Sequence, residues 1–385
     1  MRAFRFAVAL MLLGVVPATL HAQGTLSSQG FGYPPGQVST RVLSTGGALA
    51  EFDPITPLNP AALASWGRSG IYVQYSPEFR RLSGTDGDDE SSTLIRFPVV
   101  AAALAIGNKA TIGVGFSTLF DRTWRTSVRD SVILPDDTVT YTANFGSEGA
   151  INDVRLGVSY AITPSIIVGI GGHAFTGENR QTVAVTFDSA SFNDSSVTLP
   201  FLETGALSYS GNAISGGFEF RIKELSVAAS GRAGGRVRAH SGDTLLQAAS
   251  APSRFGGGIR YTGIAGTTLA IRANWDEWSK LGGLLRAGSP VQAFDGWDVG
   301  IGAEVKGPGL LGQDLPVRAG VRRRTLPFSV SGDEIRETNI AAGLGIPMSR
   351  FRAAIDLALQ RSMRRTDGDA RENAWTFSIG IAVKP

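Results

Sequence analysis

Apolar and polar residues alternate along most of this chain. The clearest stretch sets Phe351, Ala353, Ile355, Leu357 and Leu359 against Arg352, Ala354, Asp356, Ala358 and Gln360. The C-terminal stretch repeats the pattern, with Phe377, Ile379, Ile381 and Val383 opposed to Thr376, Ser378, Gly380 and Ala382. A period of two sends the first set to one face of a strand and the second to the other. One apolar face and one small-or-charged face, repeated from Ser69 onward, is the requirement of a transmembrane antiparallel β-barrel. The segments are long enough for about fourteen tilted membrane strands.

The connections sort by length. Short ones fall near Gly107–Lys109, Ile162–Ser165, Ile222–Glu224, Gly263–Gly266, Gly307–Gln313 and Pro347–Arg350. Longer ones fall near Leu82–Ser91, Thr126–Thr138, Asp188–Leu199, His240–Ala251, Lys280–Ala293, Leu326–Glu334 and Arg365–Ala370. Strict alternation of short and long is expected of an even-stranded barrel with short periplasmic turns, long outer loops and both termini in the periplasm. Aromatic residues near strand ends, among them Tyr72, Tyr75, Phe97, Trp275, Trp278, Trp297 and Trp375, suit interfacial girdles or cross-strand packing.

The start of the chain adds a compartment. Arg2 and Arg5, the apolar run Ala7–Val16 and small residues up to Ala22 read as a signal peptide spanning 1–22. The chain has no cysteine, which excludes disulfides, zinc–thiolate sites and a lipidated N-terminus. Its net charge of +3 is close to balance and carries no argument for a nucleic-acid partner. A soluble β-sandwich would alternate in the same way, but the polar faces here are rich in Gly, Ala and Ser with spaced Arg and acidic residues. A lumen of limited width needs that composition and an open surface does not.

Residues 23–67 do not alternate. Pro54, Pro57 and Pro60 exclude a regular helix or central strand there. Val42, Leu43, Leu49, Phe52, Ile55, Leu58 and Leu63 nevertheless need something to pack against. The expected surface is the lumen of a barrel formed by residues 68–385, with residues 23–67 as its plug.

The stretch Ser44–Leu63, holding Gly46, Gly47 and then Asn59, Pro60 and Ala61, resembles the N-terminal hatch of the FadL-type outer-membrane transport family. Trp275–Ser279 is similar to a Trp-x-x-Trp-Ser strand end of that family, and Arg318-Ala319-Gly320 to its later Arg-x-Gly strand. The resemblance implies a fourteen-stranded barrel in a diderm outer membrane, placed there by the barrel-assembly machinery and surrounded by outer-membrane lipid. It also implies passive uptake of a hydrophobic small molecule such as a long-chain fatty acid or hydrocarbon. A related branch resembles PorV-type barrels, which implies docking of secretion-system proteins as the alternative. The chain departs from many such barrels by ending Val383-Lys384-Pro385 instead of in an aromatic residue. Only Leu281, Leu284, Leu285, Val291 and Phe294 offer an apolar landing site in the outer loops.

By alternation, Arg155, Glu219, Arg221, Arg232, Arg236, Arg260, Arg272, Asp276, Asp298, Glu304, Arg318, Arg352 and Asp356 point into the lumen. A charge facing lipid at mid-membrane would cost about 2–4 kcal/mol. Both signs are present, so a structural ion-pair network is expected. Within it, Arg260, Arg272 and Arg318 are the candidates to meet a ligand carboxylate, because a guanidinium binds one at two points. Gly113, Gly115 and Pro98 weaken the third and second strands; the resemblance to FadL-type barrels implies that such a kink opens a side door into the bilayer, and crowding against the plug is the other reading. No cofactor or metal is expected. Asp86–Glu90 lacks the spacing of a calcium loop. Enzymatic chemistry has little material, since His173 and His240 are the histidines left after signal cleavage and a lone strand histidine is usually structural.

Overall fold

The computed structural model describes residues 26–28, 30–83, 89–133, 138–187, 201–285, 291–310, 313–329, 332–348, 352–368 and 371–384. The expected signal peptide and the Asp86–Asp88 acidic tip lie outside these. So does the Asp188–Leu199 loop.

Hydrogen-bonded neighbours run in sequence order around one closed antiparallel barrel of fourteen strands. These are β1 Gly70–Ser83, β2 Asp89–Arg96 with Val99–Ile106, β3 Ala110–Asp121 with Trp124–Ile133, β4 Thr138–Ala161 and β5 Ile166–Phe187. Then follow β6 Phe201–Ile222, β7 Leu225–Ser241, β8 Thr244–Ser250 with Arg254–Ile264, β9 Thr267–Asp276 and β10 Gly296–Leu310. β11 Gln313–Thr325, β12 Arg336–Met348, β13 Ala353–Arg365 and β14 Arg371–Val383 complete the circuit. β1 pairs with β14 from Ile71↔Val383 to Ser83↔Arg371, so the sheet closes on itself. Closure removes the sheet edges that an open sheet would expose to lipid.

Alternation sets the two faces as expected. Leu156, Ile170, Ile214 and Ile301 are 60–71% exposed on the outside, whereas Asp356, Ser378, Glu219 and Arg272 are buried within. Such an exterior is that of a membrane-spanning barrel. Two expected lumenal charges lie elsewhere. Arg236 is exposed because a bulge sets Gly235 and Arg236 against Asn212 alone, which flips the alternation and turns Val237 and Ala239 inward. Arg352 is exposed in the turn before β13. Two aromatic residues also leave the girdles: Tyr72 is fully buried in the lumen, and Trp278 packs inside the outer end. Trp275 and Trp297 do pair on the wall, with ring centroids 4.9 Å apart.

Two expected outer loops are strands. Trp124–Ile133 pairs with β4, and Ser241↔Thr244 closes a tight hairpin between β7 and β8. Beyond the bilayer both faces of a hairpin meet water. The membrane pattern disappears there while backbone pairing continues.

Residues 30–67 fill the lumen and touch the wall all round. Thr45 lies against Gly302 and Gly320, Pro60 and Ala61 against Gly169, and Asn59 against Gly217. Leu63 lies against Gly113 and Gly157. Thr40 Oγ1 and Ser378 Oγ share a hydrogen bond of 2.8 Å. A Cβ at Gly320 would stand 2.2 Å from the Thr45 carbonyl, so these inward glycines are where plug backbone meets strand backbone. Ser39 caps a short helix, Thr40–Ser44, by accepting a hydrogen bond from the Val42 amide at 3.2 Å. Asn59 caps the 3-10 segment Pro60–Trp66 in the same way, through the Ala61 amide at 3.0 Å.

Candidate functional site: a plugged lumen with an unpaired wall

Each residue of the plug motif makes a packing or hydrogen-bonding contact. Gly46 and Gly47 adopt φ of +61° and +82°, and a Cβ at Gly46 would meet the Val321 nitrogen at 2.5 Å. Asn59 also donates to the Glu51 carbonyl, 2.9 Å away. Pro60 opens the 3-10 segment, and Ala61 keeps it close to Gly169.

The three candidate arginines all have carboxylate partners. Arg260 reaches Glu219 at 3.0 Å and lies 4.7 Å from the Phe52 ring of the plug. Arg318 bridges Glu304 and Asp356, each at 2.6 Å, and Glu304 in turn holds the plug's Arg41 at 2.8 Å. Arg272 pairs with Asp298 at 2.8 Å and donates to the Gly47 carbonyl at 3.2 Å. The fold does not bring the three into one cluster. Arg272 alone of them borders a lumenal cavity of about 40 Å³, together with Gln37, Arg232, Arg254, Asp276 and Trp278.

The lumen is divided by chemistry. On the side formed by β1, β2 and β11–β14, the plug's Tyr33 is caged by charge. Arg80, Arg96, Arg324 and Arg364 stand 4.6–5.3 Å from its ring centroid. Its hydroxyl accepts from Arg324 (2.6 Å) and Arg364 (2.8 Å) and donates to Glu337 (2.9 Å). Glu78, Glu337, Glu372 and Asp121 balance the four guanidiniums. Buried charges persist only when paired and hydrogen-bonded in this manner.

Against β3–β7 the lumen also holds an apolar cluster. Phe31, Phe120, Ile151, Phe175, Tyr209 and Phe328 form one buried cluster. Phe31 makes edge contacts with Phe120, Tyr209 and Phe328 at 5.6–6.2 Å. Leu281 and Leu284, expected as an exposed landing site, instead turn inward with Trp278 and close the cluster from outside. They lie on the 3-10 segment Trp278–Leu284, and burying them removes apolar surface from water. At the foot of this lid, hydrogen bonds from Lys280 and then Ser253 hold the Glu277 carboxyl below its usual range. Arg122 borders the cluster, 4.3 Å from the Phe31 ring centroid and 5.2 Å from that of Tyr209. Its Nη1 donates to the Phe31 carbonyl at 3.1 Å, and its buried Nε has no partner among the described residues.

The wall between these two sides is incomplete. β2 breaks at Phe97-Pro98 and β3 at Arg122-Thr123. Below the breaks, Val99–Ile106 pairs with Ala110–Ser117. Above them, among the described residues, Asp89–Arg96 pairs only with β1 and Trp124–Ile133 only with β4. Proline removes a ladder donor, which explains the break in β2. The break in β3 falls at Asp121–Thr123 and not at Gly113 or Gly115. Gly113 instead faces Leu63, whose Cδ2 would lie 2.6 Å from an added Cβ. The plug covers the opening: Tyr33 and Asp121 exchange backbone hydrogen bonds of 2.9 and 2.8 Å, and Arg96 pairs with Asp121 at 2.5 Å across the gap. Sequence reasoning found the weak strand at Pro98 but missed Tyr33 and Asp121, whose meeting depends on how the plug is threaded.

No family profile and no curated protein matches the sequence. Solved structures do match in fold. A FadL homologue from Pseudomonas aeruginosa is 12% identical, with a TM-score of 0.63 over 92% of this chain and 99% of that one. The toluene transporter TbuX of Ralstonia pickettii is 14% identical, with a TM-score of 0.55 over 93% and 99%. The toluene transporter TodX of Pseudomonas putida is 12% identical, with a TM-score of 0.56 over 93% and 99%. The chain therefore has the fold of FadL-type barrels.

Proposed function

We propose that this protein is a channel of a diderm outer membrane for passive uptake of hydrophobic small molecules. The observation that carries this reading is the adjacency of an apolar lumenal cluster to a wall segment closed by the plug instead of by strand pairing. A ligand would enter beneath the Trp278–Leu284 lid and exchange with the aromatic cluster. It would leave when the plug withdraws Tyr33 from Asp121, sideways into lipid or on along the lumen. Transport of this kind needs no chemistry on the ligand. The toluene transporters that share the fold support an apolar cargo. A fatty acid would add a carboxylate, for which Arg122 at the cluster and Arg272 at the cavity are the suitable groups. Arg260 and Arg318 serve to hold the plug. The alternative, docking of secretion-system proteins, is better suited to a lumen filled throughout with ion pairs, and the aromatic cluster against β3–β7 interrupts them.

The test is organic extraction of the purified barrel followed by mass spectrometry. A defined fatty acid or hydrocarbon is expected from the parent protein and should be lost from a Phe120→Ala variant. An empty lumen together with stoichiometric protein partners would overturn the uptake reading.

A further inference from the structure

His173, solitary in the sequence, is not solitary in the fold. Its Nδ1 lies 2.9 and 3.0 Å from the two carboxylate oxygens of Asp153, and its Nε2 lies 2.8 Å from Ser215 Oγ. The three residues sit on the inner faces of β4, β5 and β6 and meet diagonally across the strands. In direct register Arg155 faces His173 and Ser215 faces Gly171. All three are buried.

Next to them stands a guanidinium with two unsatisfied nitrogens. Arg155 is buried, and its Nε and Nη1 have no hydrogen-bond partner among the described residues. Leaving such donors unsatisfied is costly unless something occupies them. The ground between Arg155 and Ser215 is glycine. A Cβ at Gly171 would meet Ser215 Oγ at 2.7 Å, Leu156 O at 3.5 Å and Arg155 Cδ at 3.8 Å, with no plug atom nearer. Gly157, its register partner, is bordered by the plug's Leu63 at 3.1 Å and Arg155 Nε at 3.8 Å. A nucleophile, its base and a cation with two unsatisfied nitrogens thus surround a floor without side chains, with an apolar residue at its rim.

We propose that Asp153, His173 and Ser215 form an acyl-transfer site that hydrolyses small carboxylic esters reaching the lumen. Ser215 Oγ attacks the ester carbonyl and passes its proton to His173 Nε2, while the oxyanion takes the free donors of Arg155. The intermediate collapses with cleavage of the ester C–O bond, and the imidazolium returns the proton to the departing alcohol. Water then attacks the acyl-Ser215 ester with His173 as base, releasing the carboxylic acid and restoring the serine. Asp153 is a positioning residue: it accepts from Nδ1 and so leaves Nε2 free to take the proton. Its other oxygen contacts are Gln37 of the plug at 3.1 Å and Arg232 at 3.6 Å, which keep it an acceptor. The inference is independent of the uptake reading, since a barrel that carried no hydrophobic cargo could still acylate this serine.

The experiment uses the full-length barrel in detergent, with folding verified by heat-modifiable electrophoretic mobility. It is treated with a small fluorophosphonate and, separately, assayed on p-nitrophenyl acetate. One phosphonyl adduct on Ser215 is expected, with ester hydrolysis that Ser215→Ala abolishes. His173→Gln should slow labelling by about a hundredfold or more, the usual contribution of a positioned base. The labelling rate should rise with pH as the imidazole loses its proton, in a setting defined by Asp153, Arg155, Arg232 and Gln37. Asp153→Asn should lower the rate and alter that pH profile while the mobility shift is retained. Labelling of Ser215 that is equally fast in His173→Gln overturns the proposal. So does an unlabelled Ser215 in both the parent and a Gln37→Ala variant, in which the plug's hold beside the site is removed.

Discussion

Replacing Tyr33 with Phe isolates what the plug's closure of the wall depends on. The substitution keeps the ring, and with it the contacts to Arg80, Arg96, Arg324 and Arg364. It removes one hydroxyl that makes three hydrogen bonds to charged groups, at 2.6, 2.8 and 2.9 Å. Hydrogen bonds to charged groups contribute about 1.5–3 kcal/mol each. The sum overstates the loss, because both arginines keep other partners. Arg324 retains Glu337 (2.6 Å) and the Pro34 carbonyl (2.8 Å), and Arg364 retains Glu337, Glu78 and Glu372. A net cost of about 2–4 kcal/mol to the docked plug follows. At about 1.4 kcal/mol per factor of ten, the open population should rise between about thirtyfold and about seven hundredfold. The assay is amide hydrogen exchange, read by mass spectrometry on peptides spanning Tyr33 and Asp121, whose amides bond to each other's carbonyls across the gap. Exchange should quicken by that factor there and remain unchanged in β12–β14. Unchanged exchange at both amides would refute the idea that the hydroxyl cage holds the opening closed.

Two further predictions concern the same plug. Gly320→Ala should loosen it, since the new Cβ would stand 2.2 Å from Thr45 backbone atoms, an overpacking that costs about 1–3 kcal/mol; Gly216→Ala, with nothing nearer than Gly169 O at 4.0 Å, should be neutral, and trypsin cleavage at Arg41 compares them. Thr40→Cys with Ser378→Cys places two thiols where oxygens stand 2.8 Å apart in a chain without other cysteines, so oxidation should lock the plug to β14 and stop uptake of a fluorescent fatty acid, and reduction should restore it.

Much of the fold is legible in the sequence. Period-two alternation identified the lipid face of β13 and β14 residue by residue, because a misplaced charge in lipid costs too much to tolerate. The prolines and apolar residues of 23–67 pointed to a packed but irregular segment, and its packing against inward glycines of the wall follows from that. Where the reading failed, the bilayer was no longer the selecting solvent. Above it the Trp124–Ile133 and Ser241–Thr244 regions keep strand pairing without the membrane pattern. Bulges defeat alternation too, as Arg236 shows.

Sequence by itself therefore determined which residues face lipid and which face inward, because that choice depends on a side chain's own solvation and on the pleat of its own strand. It could not determine who meets whom inside. Contacts across a barrel depend on register, on the stagger between strands and on the path of the plug, and a shift of one residue exchanges every partner. Only the closed structure could therefore set Tyr33 against Asp121 across an unpaired wall, give Arg260, Arg272 and Arg318 separate carboxylates, and bring Asp153 and Ser215 to the two nitrogens of His173.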